Sequence, residues 1–129
     1  MRDTSAFEQY VGPITYTEDA GDTMLQFTIK DQHLNGDGFL HGGMMMTLAS
    51  SALSTLVRHV SDGAVSAPLS INCDFVGPGP AGAAVIGRAS ITRRTRTVVF
   101  ASVELHADGK LMMSATAVYR LESAERSPA

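Results

Sequence analysis

The chain has 129 residues, 44% hydrophobic and 18% charged, with a net charge of −3. That size supports one core-bearing domain over residues 1–129, and the missing basic excess argues against nucleic acid as a partner. The lone Cys73 excludes an internal disulfide framework and a cysteine-built zinc site, and suits a reducing cytoplasmic setting. Residues 1–12, which lack the apolar stretch of a secretory signal, read as an N-terminal helical segment capped by Asp3 or Thr4 and ended by Pro13. ITYT (14–17) and TMLQFTIK (23–30) alternate around the turn-like EDAGD (18–22), which predicts a β-hairpin. The loop DQHLNGDGFLH (31–41) follows.

From Gly42 to Val60 the residues Met45, Leu48, Ala49, Ala52, Leu53, Leu56 and Val60 recur at helical spacing. They predict a helix about 27 Å long. Met44, Met46 and Val57 widen its apolar surface, so it is expected to be buried on most sides. Thr47, Ser50, Ser51, Ser54 and Thr55 make it too polar and too short for a membrane span, so no membrane partner is expected. SDGA (61–64) ends it. LSINCDFV (69–76) predicts a strand with Leu69, Ile71, Cys73 and Phe75 on one face. After the GPGPAG loop (77–82), residues 83–94 and 95–107 predict long strands, and the turn signal DGK (108–110) leads into a last strand over 111–121. The tail 122–129 is polar and reads as frayed. One helix apolar nearly all round cannot be covered by a flat sheet. An α+β fold follows, with a curved antiparallel sheet wrapped around one long central helix.

Several residues carry two readings. Gly42 and Gly43 either let the helix pack closely, or present free N–H groups and the positive end of the helix dipole to a ligand. His41 either caps the helix or takes part in a site. Arg93, Arg94 and Arg96 form either a phosphate-binding cluster or a solvated hairpin. Met46, like Met44, Met45, Met112 and Met113, fills core or lines an apolar ligand tunnel. The four histidines show no HxH or HxxxH spacing, so no metal site is expected.

The element order, with Asn35, Leu40-His41-Gly42-Gly43, Asp74-Phe75-Val76-Gly77-Pro78 and Asp108-Gly109-Lys110, resembles the hotdog-fold acyl-CoA thioesterases of the phenylacetate-pathway type. Relatives of these include the 4-hydroxybenzoyl-CoA thioesterases. The resemblance covers almost the whole chain. It implies a hotdog fold and hydrolysis of acyl-CoA to free acid and CoA, with no cofactor other than CoA as part of the substrate. It also implies a homodimer joined sheet edge to sheet edge, in a dimer of dimers, with the ligand between subunits. Pairing would cover an exposed strand edge. By the same resemblance the amide near Gly42 polarises the thioester carbonyl, Asn35 holds substrate or water, and His41 and Gly43 complete the motif. Donors aimed at a developing oxyanion are worth about 10²–10³ in rate each.

Two positions depart from that pattern. The family's helix Asp or Glu, eight residues after the first Gly of HGG, is Ser50 here, and the helix holds no carboxylate. A Ser or Thr found seven residues before the Phe in many relatives is Pro68. A hydroxyl of ordinary pKa is no general base near neutrality. Three readings stay open: hydrolysis with a base from elsewhere, Asp37 or His33 being nearest in sequence; binding of acyl-CoA or a similar ligand with little turnover; or Ser50 as a nucleophile, which needs an activating base. The alternative reading of Asp37 is an ordinary loop acid beside Gly38. A dehydratase is disfavoured because its helix carboxylate and His pairing is also missing.

Overall fold

The computed structural model describes residues 5–62 and 65–122. Helix α1 (Ala6–Val11) is capped by Ser5 rather than by Asp3 or Thr4, which lie outside the described residues. The Ser5 hydroxyl accepts the Glu8 N–H at 3.1 Å, and the Glu8 carboxylate accepts the Ser5 N–H at 3.1 Å. This is the S-x-x-E capping box, which satisfies two amides that a helix start leaves open. Strands β1 (Thr15–Asp19) and β2 (Asp22–Thr28) are joined across Ala20 and Gly21, both at positive φ. The turn is narrower than EDAGD because a two-residue turn of this kind matches the strands' twist.

Helix α2 spans Gly42–Val60, the expected bounds. Strands β3 (Val65–Phe75), β4 (Ala84–Arg94), β5 (Val98–Ala107) and β6 (Lys110–Glu122) complete one antiparallel sheet in the order β1-β2-β4-β5-β6-β3. β3 begins earlier than expected, and Glu122 belongs to β6; the rest of the tail lies outside the described residues. The sheet curls round α2, which packs against β2, β3, β4, β5 and β6 and is met from β1 by the Tyr16 side chain, in a hotdog fold. Leu48, Ala49, Ala52, Leu53 and Leu56 of α2 share a core with Val99, Ala101, Val103 and Leu105 of β5 and Ala115, Ala117 and Tyr119 of β6. Alanines on both surfaces let the helix sit close to the sheet, and interiors this dense penalise any change of volume. A Leu53→Ala substitution here would cost roughly 2–5 kcal/mol.

The burial of α2 is less complete than its composition suggests. Thr47, Ser50, Ser51 and Ser54 are only half-buried and Met46 is exposed, along the one helix face the sheet does not cover. The hydroxyl residues gather there because that face needs no apolar side chains. β3 is the outermost strand on that side of the sheet order. Its pairing with β6 shifts register between Pro68 and Ser70, so Leu69 leaves the expected alternation and stands 59% exposed, while Ile71 and Cys73 are half-buried. A proline cannot donate to the ladder, and such slips belong on edge strands.

Candidate active site

The loop leading into α2 is tied by its own side chains. The Asn35 amide oxygen accepts the N–H groups of Asp37 at 2.9 Å and Phe39 at 3.1 Å. Backbone bonds from Asn35 N–H to Phe39 O (2.7 Å) and Gly38 N–H to Asn35 O (3.1 Å) close the same turn. Asn35 is therefore the loop's organiser, and its amide NH₂ end carries no acceptor among the described residues. The Leu40 N–H donates to Gly79 O at 2.7 Å and the His41 N–H to His33 O at 2.9 Å, fixing where the helix begins.

His41 is the N-cap of α2. Its Nδ1 accepts the Gly43 N–H at 2.8 Å, so in the neutral ring the proton sits on Nε2. Met44 and Met45 N–H both reach His41 O, at 2.9 and 3.0 Å. Of the first helical amides, only that of Gly42 has no acceptor among the described residues. The expectation that both glycines offer free amides is corrected here: Gly43 is occupied because the imidazole folds back over it. A Cβ at Gly43 would meet that ring at 3.0 Å. Over Gly42 lies the Phe75 ring, 3.5 Å from where a Cβ would stand. Phe75, expected on a strand and within the Asp74–Pro78 motif, is thus also part of the helix entrance.

Two clefts flank the uncovered face of α2. The first, about 580 Å³, lies between α1 (Tyr10, Val11), His33, and the residues His41, Met44 and Thr47. The second, about 370 Å³, is lined by Phe7, Met46, Thr47, Ser50, Ser51 and Ile71. His41 and Ser50 therefore face neighbouring clefts with Thr47 in common. Asn35 and Asp37 line neither, and Asp37 is an exposed loop acid. His33 cannot serve as an unencumbered base. Its Nδ1 accepts the Lys30 N–H at 3.0 Å, and its Nε2 is bonded to Val11 O at 2.5 Å, which makes Nε2 the protonated nitrogen. Arg94 donates to Val60 O at 2.6 Å, at the C-terminal end of α2, and Arg93 and Arg96 are exposed nearby in sequence. The arginine cluster and the Gly42 end thus sit at opposite ends of a helix about 27 Å long in one chain.

Behind Ser50 lies a buried tyrosine. Tyr119 and Ser54 share a hydrogen bond of 2.9 Å, and Ser50 is the second hydroxyl against the phenol. Burial raises the Tyr119 pKa, and the contacts with Ser54 and Ser50 partly offset that. A carboxylate that sequence reading overlooked stands close by. Glu8, 4% exposed, accepts a 2.5 Å hydrogen bond from the Tyr16 hydroxyl. Burial, then the bond to Glu8 and its charge, hold the Tyr16 pKa well above the ordinary value. The S-x-x-E spacing of Ser5 and Glu8 was visible in the sequence, but the burial of Glu8 was not.

A family profile described as the acyl-CoA thioesterase N-terminal domain matches residues 31–120, from the Asn35 loop to the end of the sheet. The chain belongs to that family. Human acyl-coenzyme A thioesterase 13 is 28% identical over 109 residues, covering 82% of this chain and 78% of the human one. A phenylacetic acid degradation-related protein of Ralstonia eutropha JMP134 superposes with a TM-score of 0.84 at 30% identity, covering 92% of each chain. The Escherichia coli PaaI protein shares the fold, with a TM-score of 0.84 at 21% identity over 92% of this chain and 86% of its own. Within this acyl-CoA thioesterase family member, the helix entrance is intact and the helix itself carries Ser50 and no acid.

Proposed function

We propose that the protein hydrolyses acyl-CoA thioesters to free acid and CoA, with the carbonyl oxygen held at the Gly42 N–H. The carrying observation is that, among the described residues, this amide alone finds no acceptor at the head of a helix whose next amide is taken by His41. A donor there meets the charge that develops on the carbonyl oxygen, aided by the helix dipole. The family match supports the same reaction. CoA enters as part of the substrate, and the site is read as needing no other cofactor. Asn35 offers its NH₂ end to substrate or water, and Arg93 and Arg96 are candidates for the CoA phosphates. The lone thiol of Cys73 fits a reducing cytoplasmic compartment.

A second copy completes this site. Gly42 and Ser50 are eight residues apart on one helix, about 12 Å, too far for one carbonyl and its attacking water. Two antiparallel copies would bring the Gly42 end of one helix to the Ser50 region of the other. Leu69, Phe75 and Val76, each more than half exposed on or just past β3, and the exposed Met46 supply apolar surface for that contact. We therefore read the working unit as a homodimer, assembled into a dimer of dimers.

Ser50 favours one other reading, binding of acyl-CoA with little turnover. An acyl-CoA panel with a free-thiol readout separates the two. Saturable thiol release lost in Gly42→Pro, which removes the amide hydrogen, supports hydrolysis; binding of every acyl-CoA tested without thiol release above background refutes it.

A further inference from the structure

We infer that Glu8, acting through Tyr16 and Ser51, is the proton acceptor for the attacking water, an inference that rests on the hydrolytic reading above. Water attacking a thioester must give up a proton, but α2 carries no carboxylate, and its one histidine, His59, sits in the last turn against Glu18 of β1, nine residues beyond Ser50. The carboxylate beside this helix face comes instead from α1. Glu8 is 4% exposed, anchored through one oxygen by the Ser5 N–H at 3.1 Å and through the other by the Tyr16 hydroxyl at 2.5 Å. Tyr16 is half-buried, and its hydroxyl lies against Ser51 and Thr55 of α2. Ser51 lines the second cleft next to Ser50. A line of hydroxyls therefore runs from that cleft, through Ser51 and Tyr16, to a carboxylate that water does not reach directly.

The step balances without a further reactant. As the water oxygen bonds to the carbonyl carbon, its proton passes to Ser51 Oγ, the Ser51 proton to Tyr16 Oη, and the Tyr16 proton to Glu8. The tetrahedral oxyanion collapses, the C–S bond breaks, and the proton returns along the same path to the leaving sulfur, giving acid and thiol. Ser51 is the catalytic residue of this relay, since it touches the water; Tyr16 and Glu8 act behind it. The high pKa of Tyr16 suits a group that passes a proton on without remaining ionised.

The test is steady-state thiol release from an acyl-CoA by the full chain and by Glu8→Gln, Tyr16→Phe and Ser51→Ala, each also in a Ser50→Asp background. The expected result is a fall in kcat of about 10²-fold in each single variant, with KM little changed. Ser50→Asp puts a carboxylate directly in the cleft, so the same three changes should then cost almost nothing. A structural role for Glu8 would instead show equal losses in both backgrounds, and that outcome overturns the relay. Unchanged kcat in Ser51→Ala, which leaves the Glu8–Tyr16 bond intact and guards against a misfolded Glu8 variant, also overturns it while leaving the hydrolytic reading standing. A parent protein that releases no thiol refutes that reading and the relay with it.

Discussion

The imidazole of His41 takes the Gly43 N–H at 2.8 Å, and so decides which amide of α2 is left for a ligand. A side chain that caps the helix also narrows its open end to a single donor. His41→Ala should remove the cap, lower stability by about 1 kcal/mol, and free a second amide. His41→Asn should retain most of the stability, since Asn also caps well. Thermal melting checks both; equal losses in the two variants would deny His41 the capping role.

Gly43→Ala tests the same contact from the other side. Its new Cβ would stand 3.0 Å from the ring of His41, so the imidazole must give by a few tenths of an ångström. Alanine also favours a helix by about 1 kcal/mol over glycine, so the Tm loss should be smaller than that of His41→Ala; in a His41→Ala background, with the ring gone, Gly43→Ala should raise Tm instead.

Tyr119→Phe would leave Ser54 without its 2.9 Å partner beside a buried ring edge. A loss of about 1 kcal/mol is expected in urea unfolding. Because Ser50 also approaches that hydroxyl, the change should move Ser50 as well, seen as an altered KM in thiol release.

Alkaline stability follows from Tyr16 and Tyr119, whose folded pKa values are both raised above the ordinary 10.0. Above that value the unfolded chain has lost these protons while the folded chain still holds them, so ΔG of unfolding falls as pH rises. The contribution is complete below pH 10 and is lost as pH climbs toward the folded values. Melting curves at pH 9 to 11.5 should show this slope, and Tyr16→Phe should flatten it. An unchanged slope in Tyr16→Phe and Tyr119→Phe together would disprove the assignment.

Leu69→Lys with Val76→Lys would place charges on the apolar rim of β3. Sedimentation should show a smaller assembly, and thiol release should fall with it if two copies build one site. Full activity in a monomer would sink the shared-site reading.

Much of this architecture was legible because it rests on periodic signals. The spacing from Gly42 to Val60 fixed α2 to the residue, and Asp108-Gly109 marked the last hairpin. Features set by long-range packing were not. The burial of Glu8 has no local signal, since nothing in a six-residue helix tells what it covers. The difference between the Gly42 and Gly43 amides depends on one imidazole orientation. Arg94 stood in a basic run with two readings open, and the curl of β4 that brings it to the last turn of α2 has no local signal. The slip at Leu69 hides in a sequence that alternates cleanly, because register is settled by the partner strand.

Helix α1 is far too short to persist alone, isolated helices being marginal below about 12–15 residues. It exists because Ser5 and Glu8 close one end and His33 grips Val11 O at the other. Yet Phe7 walls one cleft, and Tyr10 and Val11 wall the other. Both cavities therefore share one ceiling, and its anchors set their sizes jointly. Selection on substrate shape in this protein can act on a histidine and a serine that need never meet the substrate's reacting carbon.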